Sequence, residues 1–138
     1  MTTGERIRHF RKIRKLTQKE LAEKVGLSEP AIRLYELGKR EPSEKQIEAI
    51  SEALEITPQS LTDVRIASAR EALELLFRLE DELGLYPDGD LAFSVDPKNP
   101  NAKKIAAANK AWMSMREDLE SGKITQEDYD LWKAEFSS

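Results

Sequence analysis

The stretch from Leu16 to Pro42 limits what this chain can fold into more than any other. It spells two short amphipathic helices joined by a glycine turn. Thr17 stands where a helix N-cap belongs, and Glu20 follows three residues on, the spacing of a capping box. Leu21, Ala22 and Val25 then recur on one helical face. Gly26 supplies a residue that tolerates positive φ where the chain must turn. Ser28 is positioned to cap the next helix and Pro30 is tolerated in its first turn. Ile32 with Tyr35 or Leu34 forms the inward side of that helix, and Gly38 ends it. This is the layout of a helix-turn-helix, whose second helix is free to enter a DNA major groove.

The flanking sequence builds a small core around that pair. Residues 3–15 read as a helix with Ile7, Phe10 and Ile13 inward and six basic residues elsewhere. A fourth helix starts after Ser43, with Gln46 completing a second capping box, and carries Ile47, Ile50, Ala53 and Leu54. Thr57-Pro58 opens a short fifth helix, and Leu61 closes the core. A first domain is therefore expected over residues 1–62. His9, the single histidine, reads as a surface residue.

Charge separates the two ends of the chain. The net charge over 138 residues is −4, which taken alone argues against a nucleic-acid partner. Residues 1–40, however, carry 11 Lys or Arg against 5 Asp or Glu, whereas residues 63–138 carry 10 against 16. A basic front and an acidic back suit a DNA-facing head on a body that stays off the phosphates.

Residues 63–138 read as a second, helical domain with a small β element. A helix is expected from Thr62 or Asp63 to Leu83, ended by Gly84. Tyr86 to Asp90 is a turn, and Leu91 to Val95 alternates as a strand does, to pair either with residues near Leu83–Tyr86 or with a second copy. Asn101 is expected to cap a helix to Ser121 with an apolar seam through Ile105, Ala108, Trp112, Met115 and Leu119. Thr125 and Asp128 box the start of the last helix, along which Tyr129, Trp132 and Phe136 share a face. Trp112 and Trp132 are expected to meet as these last two helices fold back on each other. The spacing of Asp88, Asp90 and Asp96 does not match an EF-hand, so no metal is expected there.

Residues 4–61 resemble the XRE family of bacterial and phage regulators, the lambda-repressor and Cro type. The resemblance lies in Leu16-Thr17-Gln18, Glu20-Leu21-Ala22, Gly26, Ser28, Ile32, Tyr35-Glu36, Gly38, Pro42-Ser43 and Ala53-Leu54. It implies a five-helix DNA-binding domain within a mainly α protein, a homodimer on a palindromic operator, and repression of the protein's own promoter. It implies that Gln18 contacts a phosphate and braces the first recognition residue, and that Arg11 and Glu36 form a salt bridge beneath the motif. Ser28, Glu29, Pro30, Ala31, Arg33 and Leu34 would occupy the outward part of the recognition helix. Arg33 is the candidate for guanine and Glu29 for a cytosine amino group, while Pro30 and Leu34 offer apolar contact. Where family members carry Gln or Asn at such positions, this chain has few polar side chains, which shifts weight to DNA shape. Lys39 and Arg40 are expected at phosphates.

With one histidine, no cysteine and no nucleophile motif, an enzyme is not expected, nor is a cofactor, a metal or self-cleavage. A cytoplasmic location is expected, since no apolar run approaches the length of a membrane span. A different class of function is a protein-binding inhibitor or antitoxin, for example a phage anti-defence protein. Its helix-turn-helix would serve mainly autoregulation while the acidic half engages a protein partner.

Overall fold

Hydrogen bonds at the helix starts define the architecture of the first unit. In the computed structural model Thr2, Thr17 and Ser43 each accept a backbone N–H from three residues on, and Glu5, Glu20 and Gln46 return the bond to the capping residue's own amide. These reciprocal pairs satisfy helix-end donors that otherwise have no partner. The structure describes residues 1–64, 66, 75, 78–79, 81–87 and 92–136. The protein is mainly helical over them. The first unit holds α1 (Thr3–Ile13), α2 (Gln18–Val25), α3 (Glu29–Glu36) and α4 (Glu44–Leu54), then a 3-10 turn at Pro58–Ser60. The predicted helix boundaries hold to within two residues, and the fifth helix is this single 3-10 turn.

The core of the first unit is built from residues that the helical spacing selects. Ile7, Leu21, Ile32, Ile50, Leu54 and Leu61 are wholly buried, with Phe10, Ala22, Tyr35 and Ile56 beside them. Tyr35 rather than Leu34 takes the inward position on α3; Leu34 is half-buried. Gly26 closes α2 with φ 68°, the left-handed conformation that glycine adopts without a Cβ penalty.

Chain contacts divide the protein into two units, and the division is not linear in sequence. One unit is Met1–Asp63 together with the segment beginning at Gly122; the other is Val64–Ser121. The helix α6 (Gln126–Glu135), capped by Thr125 and Asp128 as expected, belongs to the first unit. Ala134 sits in the first core with Leu131 packed against it, and Tyr129 is buried as well. The Thr57 amide and the Ser60 hydroxyl both donate to the Ala134 carbonyl, at 2.7 and 3.0 Å. Within α6, the Trp132 ring lies 6.3 Å from that of Tyr129 and 5.1 Å from that of Phe136, centroid to centroid. The buried face of the helix centres on Tyr129 and Ala134 rather than on the aromatic stripe, and Phe136 leaves the helix in an extended conformation.

The second unit contains a two-stranded antiparallel hairpin, β1 (Leu85–Pro87) with β2 (Phe93–Val95), in register Leu85 to Val95. The strand therefore pairs within the chain. The turn between the strands, including Asp88 and Asp90, lies outside the described residues, as does most of the helix expected over 63–83; Leu75, Arg78, Leu79 and Asp81–Leu83 within it are helical. The helix α5 runs Ala102–Glu120. Its expected cap is corrected: the Asn101 side chain makes no capping bond, and the Asn99 side chain instead accepts the Asn101 amide at 2.9 Å. Among the described residues no helix is long and apolar enough to cross a membrane.

Candidate nucleic-acid interface

A buried ion pair fixes the position of the second helix of the motif. Arg11 reaches from α1 to Glu36 at the end of α3, with Nε and Nη2 donating to the two carboxylate oxygens at 2.5 and 3.0 Å. Its remaining nitrogen, Nη1, donates to the Leu16 carbonyl at 2.7 Å. The fork of a guanidinium matches a carboxylate with two parallel bonds, so the pair sets direction as well as distance. Both side chains are almost fully enclosed. Gln18, the first residue of α2, donates from its amide nitrogen to the same Glu36 oxygen at 2.9 Å. Three helices thus converge on one carboxylate. The amide of Gln18 is spent in part on Glu36, at the far end of α3 from its first residues; a side-chain amide has a second N–H and a carbonyl oxygen as well.

The start of α3 is held by Ser28, whose hydroxyl accepts the Ala31 amide at 3.3 Å, and Pro30 sits in the first turn, where the missing N–H costs nothing. Ser28, Glu29, Pro30 and Arg33 are exposed, while Ala31, Leu34 and Gln18 are half-buried. Glu29 stands in the first helical turn, where the helix dipole favours a negative charge. After α3 the Leu34 carbonyl accepts the amides of both Lys39 and Arg40, at 3.0 and 3.3 Å, which fixes the turn that presents these two exposed cations. The Arg40 guanidinium lies 5.8 Å from the Tyr35 ring centroid, within the range of cation–π attraction.

Arg33 borders a cleft of about 290 Å³ whose other walls are Arg8, Arg11, Lys12, Gln18, Glu36 and Leu37. The buried Arg11–Glu36 pair is internally compensated, so the unneutralised charge at this cleft comes from exposed Arg8, Lys12 and Arg33. Sequence reasoning singled out Arg33 and Gln18 here and left Arg8 and Lys12 among the general basic residues of α1. Their signal was available: the two are four residues apart on one side of α1 and flank Arg11.

A helix-turn-helix family model matches residues 7–61. The chain is 32% identical over 111 residues to the immunity repressor protein of Bacillus phage phi105, covering 74% of this chain and 77% of that one, so the match extends well beyond the motif. It is 43% identical over 54 residues to YqaE of Bacillus subtilis (strain 168), an uncharacterised HTH-type transcriptional regulator, covering 39% of this chain. The match spans 47% of YqaE, about half its length. A crystal structure of the P22 c2 repressor with a synthetic operator aligns at 38% identity and a TM-score of 0.44, covering 46% of this chain and 96% of that one. With the two-helix motif, its bracing ion pair and a phage repressor matched over most of its length, the chain belongs to the XRE-type helix-turn-helix family of transcriptional regulators and phage repressors.

Proposed function

We propose that the protein is a sequence-specific DNA-binding transcriptional repressor. It acts as a homodimer on a palindromic operator and regulates its own promoter. One observation carries this reading: the Arg11–Glu36–Gln18 junction holds α2 and α3 so that an exposed helix face is presented beside a cationic cleft. A helix held this way enters a major groove, and cations at its flanks neutralise phosphates on either side.

The contacts divide between the two kinds of DNA surface. Ser28, Glu29, Pro30, Ala31 and Leu34 meet base edges, with Glu29 accepting from a cytosine amino group and Pro30 and Leu34 against apolar surface. Gln18, Lys39 and Arg40 contact phosphates. Arg33 is proposed to do so too, together with Arg8 and Lys12, because all three border one cleft. A guanine contact for Arg33 is the competing assignment. Replacing Arg33 by Ala separates the two. A phosphate role predicts weaker binding to every sequence alike and a salt slope lower by about one; a guanine role predicts relaxed preference at one base position.

Selection of binding sites from random duplex DNA tests the whole reading. An enriched inverted repeat is expected, with half-sites one helical turn apart, roughly 34 Å. Failure to enrich any inverted repeat at low salt would overturn it.

A further inference from the structure

We propose that α6 is a releasable latch on the DNA-binding unit, and that its docking favours the DNA-competent state. The chain leaves this unit after Asp63 and comes back to it at Gly122. Its return is fastened at three polar points. His9 of α1 meets Asp130 at 3.2 Å. Arg14 meets Glu135 at 2.6 Å and also donates to the carbonyls of Leu54 and Glu55, at 2.7 and 3.1 Å. The Thr57 amide completes the set with its bond to Ala134. Arg14 therefore joins three elements: α1, the end of α4 and the end of α6.

Two features make this fastening separable from the rest. The apolar part of the contact is small, resting on Ala134 with Leu131 beside it, whereas Ile7, Leu21, Ile32, Ile50, Leu54 and Leu61 form a wholly buried core among the first five elements. The segment before α6 turns through Gly122 at φ 76°. An element with few buried contacts opens at lower free energy than the core it rests on.

The link to DNA runs through α1. One side of that helix holds α6 through His9 and Arg14. Another carries Arg11, whose guanidinium positions Glu36 and, through it, Gln18. Releasing α6 removes Asp130 from His9 and Glu135 from Arg14, leaving Arg14 only its bonds to Leu54 and Glu55, and loosens the helix from which the bracing pair is built. A state with weaker bracing binds DNA less well, so DNA binding and latch docking favour each other. This coupling rests on the DNA-binding reading above; the latch itself does not.

Amide hydrogen exchange on the full chain tests it, read at the Thr57 N–H, which reports docking, and at the Leu21 N–H, which bonds to the Thr17 carbonyl inside the unit. In the native chain Thr57 is expected to exchange at least about 10-fold faster than Leu21, by partial opening. Arg14→Ala is expected to raise Thr57 exchange about 10-fold more, leave Leu21 protected, and weaken binding to a duplex of about thirty base pairs at low salt by about 5-fold or more. If Arg14→Ala also exposes Leu21, the milder Glu135→Gln replaces it, with the same pattern expected at smaller amplitude. Exchange of Thr57 in step with Leu21 would show that α6 does not open separately and overturns the latch. Separate exchange with unchanged duplex affinity overturns the coupling. A native chain that shows partial opening but no affinity for any duplex overturns the DNA-binding reading instead.

Discussion

The backbone of α1 touches the backbone of α3 at Gly4 and Tyr35. A Cβ built on Gly4 would lie 2.1 Å from the Tyr35 carbonyl oxygen and 3.1 Å from its carbon. Both are main-chain atoms of α3, so no side chain can swing aside. Gly4→Ala is expected to push α1 away from α3 and cost about 1–3 kcal/mol. Urea denaturation checks this; an unchanged midpoint at unchanged slope would mean that the two helices separate freely.

The bracing ion pair supports a second prediction. Glu36→Gln removes the charge that compensates a nearly enclosed guanidinium, and is expected to destabilise the fold by about 3–5 kcal/mol. Replacing both partners at once, Arg11→Met with Glu36→Leu, is expected to recover much of that loss, because no buried charge is then left unpaired. Thermal unfolding of Arg11→Met, Glu36→Leu and the double variant measures the coupling. The double variant is also expected to bind DNA poorly even when stable, since Gln18 loses its acceptor.

Backbone conformation gives a pair of opposite effects. Lys15 and Gly26 both have positive φ, 57° and 68°. A left-handed conformation costs an L-residue about 1–2 kcal/mol, partly offset by the greater freedom of glycine in the unfolded chain. Lys15→Gly is therefore expected to stabilise by about 0.5–1 kcal/mol, and Gly26→Ala to destabilise by about 1 kcal/mol although nothing lies within 4 Å of the added Cβ. Denaturation midpoints that move in the same direction would refute the backbone account.

Acid weakens the helix starts. Bonds from the Thr2, Thr17 and Thr125 amides hold the carboxyls of Glu5, Glu20 and Asp128 below their ordinary range, with the threonine hydroxyls adding to the effect. Burial pushes Asp130 up, but hydrogen bonds from Gln126 and Lys133 and the nearby charges of Lys133 and His9 outweigh it, and the net shift is downward. A pKa lowered by folding contributes stability that is present above the unfolded value and is lost as pH falls through the folded one. Stability is thus expected to decline below about pH 4.5. Glu20→Gln, which can still return the capping bond, is expected to flatten part of that decline. A pH profile of the urea midpoint that is identical for the two chains would contradict the assignment.

Local chemistry made the first unit readable in advance. Thr17 with Glu20, Ser43 with Gln46 and Thr125 with Asp128 are cap pairs at fixed spacing, and each was legible because both partners are near neighbours in sequence. Gly4 gave no such sign, since the reason for it is the approach of a helix some thirty residues away. The periodicity of α6 showed that it has an apolar side without showing what that side rests on, and it pointed to Phe136 rather than Ala134. The cleft beside Arg33 likewise depends on where α1 lies, which no residue of α3 encodes by itself.

The return of the chain at Gly122 also sets an order of events during synthesis. Residues up to Leu61 can gather their core as soon as they clear the ribosome, but Ala134 and Leu131 have not yet been made. At about 5–20 residues per second, several seconds separate the emergence of Asp63 from that of α6. During that interval the Thr57 amide and the guanidinium of Arg14 lack their late partners and are served by water. The DNA-binding unit therefore gathers its core before residues 64–121 have been made and is completed only after them.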